Sequence, residues 1–144
     1  MAKKKVYICF DFEKDRNYKY LLSAWDANPD FEFSFNDLSP QEIQSNSISV
    51  IKGCISKKIQ EANYTIVLVG RDINKPHKDR FQIDFINWQN YEVARSYFYH
   101  NKVILVKLPG YYQIPAECQR RYYISAGAFS QENIINALKR ASLC

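Results

Sequence analysis

Two continuous apolar runs limit what this chain can become: Thr65-Ile66-Val67-Leu68-Val69, which ends at Gly70, and Val103-Ile104-Leu105-Val106, which is closed by Pro109-Gly110. A strand with one wet face alternates apolar and polar residues. A strand without alternation has both faces covered, which is the signature of a central strand in a parallel sheet. Each run is flanked by segments with helical spacing. Ile48, Ile51, Ile55, Ile59 and Ala62 recur at three- and four-residue steps before the first, and a helix over about 82–99 fills the space before the second. Parallel strands need such crossovers.

The rest of the chain follows the same alternation. Val6–Phe10 reads as a first strand. A helix over Asp15–Ala27 follows, with Tyr18, Leu21, Leu22 and Trp25 on one face, Asp15 as its cap and Asn28-Pro29 as its stop. Phe31, Phe33 and Phe35 alternate with polar residues, as in a half-buried strand near a sheet edge. Asn36–Asn46 is a polar loop, and Ser45 or Ser47 caps the helix after it. Tyr122-Tyr123-Ile124 forms a last short strand, and Ser130 caps a C-terminal helix with Ile134, Ile135, Leu138 and Ala141 on one side.

The order βαβαβαββα, with right-handed crossovers, predicts a three-layer α/β sandwich. Its five-stranded parallel sheet has the flavodoxin-like order 2-1-3-4-5. The length of 144 residues suits a single domain over 1–144. In that topology ligands bind beyond the carboxyl ends of the strands that flank the switch point. Here those ends are Phe10-Asp11-Phe12 and Gly70-Arg71.

Composition excludes several functions. With 4 glycines there is no Gly-x-Gly-x-x-Gly fingerprint and no phosphate-binding P-loop, and with 2 histidines a Ser-His-Asp hydrolase has little to work with. Cys9, Cys54, Cys118 and Cys144 are scattered with no Cys-x-x-Cys pair, so no metal site is expected. Cys9 and Cys54 read as small buried hydrophobes. The net charge of +5 sits in Lys3-Lys4-Lys5, the 71–80 loop and Arg120-Arg121, without the long basic stripe of a nucleic-acid binder. No apolar run reaches the roughly 20 residues of a membrane span, and the N-terminus is not a secretory signal. A cytoplasmic protein with reduced thiols is the expectation. The 15% aromatic content supplies either core or a stacking platform for a flat ligand.

What remains for chemistry is carboxylates near strand ends. Asp11 follows the first strand, Asp37 follows the second, and Glu92 lies on the helix after the third, in Trp88-Gln89-Asn90-Tyr91-Glu92. Each has an ordinary reading. Asp11 caps the next turn, Asp37 belongs to a turn, and Glu92 is a surface glutamate paired with Arg95. A receiver that accepts phosphate would carry its Asp directly after the third strand, but Gly70-Arg71 stand there and Asp72 comes one step late.

Lys5-Val6-Tyr7-Ile8-Cys9-Phe10-Asp11-Phe12 with Asp15-Arg16, the run Thr65–Gly70, and Trp88-Gln89-Asn90-Tyr91-Glu92 followed by Lys102–Val106 together resemble the TIR-like (Toll/interleukin-receptor-like) family. The likeness is greatest to the small proteins of the bacterial Thoeris antiphage system and covers about residues 4–108. The resemblance implies a TIR-type fold and Glu92 as the catalytic residue of NAD⁺ cleavage at the nicotinamide–ribose bond. The product would be a cyclic ADP-ribose isomer that signals to a separate effector protein. It implies NAD⁺ as substrate with no further cofactor, self-association, and a phage-derived trigger, with neither nucleic acid nor membrane as partner. By that resemblance Phe10, Asp11, Asp37, Arg71 and Trp88 are the substrate-binding candidates, Lys75 joins Arg71 near the pyrophosphate, and the loop 36–46 governs access and assembly. The competing reading is a non-enzymatic interaction or adaptor domain, since fold alone does not fix function.

Overall fold

The structure, a computed structural model, describes residues 4–27, 32–36, 43, 45–110 and 113–143. A five-stranded parallel sheet runs in the order β2-β1-β3-β4-β5. Its strands are β1 (Lys4–Cys9), β2 (Phe33–Asn36), β3 (Tyr64–Val69), β4 (Lys102–Lys107) and β5 (Ile124–Ala128). The helices are α1 (Phe12–Asp26), α2 (Ile48–Gln60), α3 (Arg80–Ile83), α4 (Trp88–Phe98) and α5 (Gln131–Ser142), with a 3₁₀ turn at Ala116–Cys118.

Every residue of β3 is buried, as its unbroken apolar run requires. Successive side chains leave opposite faces of a strand, which divides the core in two. Val6, Ile8, Ile66, Leu68, Ile104 and Val106 pack with Leu22 of α1 and with Ile134 and Leu138 of α5. Tyr7, Cys9, Val67, Val69, Val103 and Leu105 pack with Ile51, Ile55 and Ile59 of α2 and with Tyr91 and Val93 of α4. The sheet therefore lies between two helical layers, as expected.

Several local expectations are corrected. Asp11, not Asp15, caps α1, its side chain accepting from the Glu13 amide; the helix begins at Phe12, and Asp15 sits in its first turn. Leu21 is 48% exposed; Leu22, Tyr18 and Trp25 make the inward face. Of the two serines expected to cap α2, Ser47 does so as foreseen, accepting from Val50, and Ser45 supports it by accepting from Ser47. Cys54 is only partly buried, because α2 turns that side toward the surface.

The single helix expected over 82–99 is two. Asp84 adopts φ 71 and ends the short α3, and Asn87 restarts the chain as the N-cap of α4 in an extended conformation. The last strand is Ile124–Ala128, not Tyr122–Ile124. It pairs with β4 through an irregularity at Leu105/Val106, opposite Gly127 at φ 83, where a side chain would be strained. Phe31, Asp37, most of the 36–46 loop and Cys144 lie outside the described residues.

Candidate active site

The ends of β1 and β3, the start of α1, the loop after β3 and the first turns of α4 converge at the carboxyl edge of the sheet. Local chemistry fixes this geometry. The Asn87 side chain accepts from the Asn90 amide at 2.9 Å, which caps α4, while its Nδ2 donates to the carbonyls of Ile73 at 2.8 Å and Lys75 at 3.0 Å. Asn90, fully buried, donates to the Ile73 carbonyl at 3.0 Å and to Asn74 Oδ1 at 3.2 Å, and its Oδ1 accepts from the Glu117 amide at 3.0 Å. Asn74 Oδ1 also accepts from the Ala116 amide at 2.8 Å. Two asparagines one helical turn apart thus tie the loop after β3 and the 3₁₀ turn to α4.

This wrapping explains an unusual burial pattern. Trp88 through Val93 are six consecutive buried residues, so α4 is covered on all sides where it begins. Further along, Ser96 Oγ donates to the Glu92 carbonyl at 2.8 Å and accepts from Thr65 Oγ1 at 2.7 Å. Asn101 donates to Thr65 Oγ1 at 3.2 Å. The Tyr91 hydroxyl meets Ser56 Oγ at 2.8 Å and the Lys52 carbonyl at 3.0 Å, pinning α4 to α2. Buried polar groups persist when bonded in this way.

Glu92 is 3% exposed. Its Oε1 accepts from the Tyr7 hydroxyl at 3.2 Å, and the Arg95 guanidinium lies over the rings of Phe98 and Tyr99. The surface-glutamate reading is therefore overturned by burial. Glu92 lines a cleft of about 310 Å³ together with Phe10, Asp11, Lys14, Lys75, His77 and Trp88. Burial, followed by the neighbouring Glu92 carboxylate, pushes the Cys9 thiol well above its ordinary range, so Cys9 stays a neutral thiol within reach of both the Glu92 carboxylate and the Gln89 carbonyl, the latter at 3.5 Å.

The mouth of the cleft is charged. Lys14 and Asp72 form an ion pair that holds the Asp72 carboxyl below its usual range and raises the Lys14 ammonium. Asp15 is pushed to about 6, first by burial and then by the charge of Asp11, with Lys14 opposing. A methyl at position 70 would lie 2.8 Å from Asp15 Oδ2, so Gly70 is what lets this carboxylate approach the end of β3. Chemically, the cleft combines one buried carboxylate, Glu92, with the aromatic residues Phe10 and Trp88 and a rim of mixed charge, in which Lys14, Lys75, Lys78 and His77 stand among Asp11, Glu13 and Asp72. That arrangement suits a ligand with an electron-poor centre near Glu92 and polar groups of either sign at the mouth, with Lys75 and Lys78 on the side that can take an anion.

Of the residues singled out in the sequence, Glu92, Phe10, Asp11 and Trp88 come together on this cleft. Phe10 and Trp88 are 6% and 8% exposed, so each offers the cleft only a small part of its ring. Trp88 is held edge-to-face against Tyr91. Asp11 both caps α1 and lines the cleft. Arg71 lies in an adjoining depression of about 180 Å³ that shares Asp11, Lys14 and Asp72 with the first. Lys75 lines the main cleft, and Asp37 lies outside the described residues. Sequence reasoning missed Tyr7, Lys14 and His77. A tyrosine at the centre of an otherwise aliphatic and thiol-bearing strand was the available signal for the first.

Comparison with known proteins bears on the same residues. The family model described as the TIR-like domain of the Thoeris protein ThsB matches residues 7–113, a span that runs from the second half of β1 through β4 and includes Glu92. A solved structure described as the crystal structure of a prokaryotic SEFIR domain is similar in fold. Its TM-score is 0.55 at 12% identity, covering 96% of this chain and 89% of that chain. No curated protein matches the sequence. Among the described residues, no helix is long and apolar enough to cross a membrane.

Proposed function

Because the chain belongs to the family of the Thoeris ThsB TIR-like domain, we propose that it is an antiphage-defence enzyme that cleaves NAD⁺ at the nicotinamide–ribose bond. The ADP-ribose portion then closes into a cyclic isomer that signals to a separate effector. The observation that carries this reading is the position of Glu92: buried, anchored by Tyr7, and lining a cleft at the carboxyl edge of the sheet.

In the proposed reaction the C1′–N bond breaks, and its electron pair leaves with nicotinamide, which neutralises the pyridinium. Positive charge gathers on the ribose. The Glu92 carboxylate stabilises that charge from a site shielded from water, where a fixed charge is worth most. A nucleophilic atom of the same ADP-ribose then bonds to C1′ and its proton passes to solvent water, so the ring closes without a cofactor. Lys75, which lines the cleft, and Arg71, which lines the adjoining depression, would meet the pyrophosphate, while Lys14 is tied to Asp72. Phe10, Asp11 and Trp88 border the nicotinamide end, and Asp37 is proposed as a further contact.

The test is mass spectrometry of small molecules from phage-infected cells that carry wild type or Glu92→Gln. The wild type is expected to release nicotinamide and form a cyclic ADP-ribose isomer, with the variant lower by about 10²- to 10³-fold. Equal product from both overturns the assignment of Glu92. Protection from phage with no turnover in either favours an adaptor that works through contacts alone.

A further inference from the structure

Tyr7 is the largest side chain on the α4-facing side of β1, and it is fully buried. Its neighbours in register are Thr65 on β3 and Asn36 on β2, so it occupies the middle of the sheet. Hydrocarbon is the usual material there, and a buried hydroxyl is costly unless it is hydrogen-bonded. Its hydroxyl donates to Glu92 Oε1 at 3.2 Å. The carboxylate, in turn, belongs to a helix whose own bonds leave it little freedom: the Glu92 carbonyl accepts from Ser96, and Gln89 donates to the Leu68 carbonyl at 3.4 Å.

Resting on the cleavage reaction above, we propose that Tyr7 is a positioning residue whose phenol aims the Glu92 carboxylate into the cleft and holds it as an anion. A hydrogen bond to the charged form of an acid favours that form, whereas burial alone would favour the neutral acid. The proposed chemistry needs the anion, so the strand supplies a donor at the one place where solvent cannot. Cys9, one pleat on, keeps its proton and adds no competing charge.

Other groups also act on Glu92. The Cys9 thiol hydrogen-bonds to it from β1, Asp11, Glu13, Lys14, Asp72, Lys75, His77 and Lys78 line the same cleft, and Tyr91 and Arg95 share its helix. All of them remain in a Tyr7→Phe variant, which keeps the ring in the core and removes one oxygen. The difference between variant and wild type therefore isolates the phenol.

The experiment uses the full chain labelled with ¹³C at glutamate carboxyl and tyrosine ring carbons, the Glu92 signal being identified by its loss in Glu92→Gln. In Tyr7→Phe the Glu92 midpoint is expected to rise by about one to two pH units. The acid limb of the kcat profile for NAD⁺ in triggered extracts should rise with it, while KM changes less than about twofold. In the wild type the Tyr7 ring carbon should follow the Glu92 titration, a reading that needs no variant to fold. Equal Glu92 midpoints, or a Tyr7 signal blind to the titration, overturn the proposal. A midpoint shift without NAD⁺ turnover in the wild type supports the phenol–carboxylate coupling and instead removes the cleavage reading. Turnover that Glu92→Gln abolishes and Tyr7→Phe leaves with an unmoved pH profile does the reverse.

Discussion

On the face of the sheet covered by α1 and α5, Ile8, Ile66, Leu68, Ile104 and Val106 meet Leu22, Ile134 and Leu138 in a layer that is almost entirely hydrocarbon. On the face covered by α2 and α4, the same strands present Tyr7, Cys9 and Thr65 to a helix that carries Asn90, Glu92 and Ser96. Alternation along one strand feeds both layers, so a single register has to satisfy two kinds of chemistry. The apolar layer contributes stability that depends on filled volume. The polar layer gains less from burial, because each hydrogen bond there replaces one to water, but a lost partner strands a group away from solvent. The cleft opens at the edge of the second layer, where bond directions position side chains more narrowly than packing does.

The largest expected effect tests the first layer. Ile66→Ala removes a fully buried side chain between α1 and α5. It should lower unfolding free energy by about 2–5 kcal/mol, measured by urea denaturation. The folded fraction should keep the Glu92 midpoint of the wild type, because the cavity lies across the sheet from α4. A shifted midpoint would mean that the two faces are mechanically coupled.

Asn90→Ala tests the second layer. It leaves the Ile73 carbonyl and the Glu117 amide without the bonds that Asn90 makes. The expected loss is smaller, about 1–3 kcal/mol. The loop after β3 and the 3₁₀ turn should loosen together, seen as faster amide exchange over 73–77 and at Glu117. If exchange rises uniformly over the whole chain instead, Asn90 is ordinary core and does not specifically hold the cleft wall.

This division also explains what could be read from the sequence. The apolar layer advertises itself through residue type and period: the runs at 65–69 and 103–106 and the isoleucine stripe of α2 follow from local pattern alone. Glu92 could be named because the stretch Trp88–Glu92 resembles the TIR-like family, and Phe10 and Asp11 because the strand order says where clefts form. Boundaries set by tertiary contact were hidden. Phe81-Gln82-Ile83 continues the helical spacing of α4, and the break at 84–87 depends on Asn87 reaching loop carbonyls fourteen and twelve residues upstream. The weakly β-prone Ser125-Ala126-Gly127-Ala128 forms β5 because β4 offers it an edge. Tyr7 looked like strand filler, since nothing nearby in sequence reveals that its hydroxyl meets a residue 85 positions away.

The smallest effect probes the seam between the layers, at the cleft mouth. Burial and the Asp11 charge raise Asp15 from its ordinary 3.8 to about 6. The folded state therefore keeps a proton that the unfolded chain has already released. By linkage, Asp15 lowers stability progressively as pH climbs from about 4 to about 6, and the full penalty persists above that. Asparagine has nearly the same shape and no charge at any of these pH values, so Asp15→Asn should remove the penalty only where it exists. Partial exposure of the carboxylate screens part of the effect, and the expected gain is about 2–4 °C in Tm at pH 7.5, fading to nothing near pH 4. A gain equal at both pH values would mean that the substitution works through packing against Gly70. The charge at the mouth would then cost the fold nothing, and the contrast between a stabilising layer and a strained functional edge would have to be drawn at α4 alone.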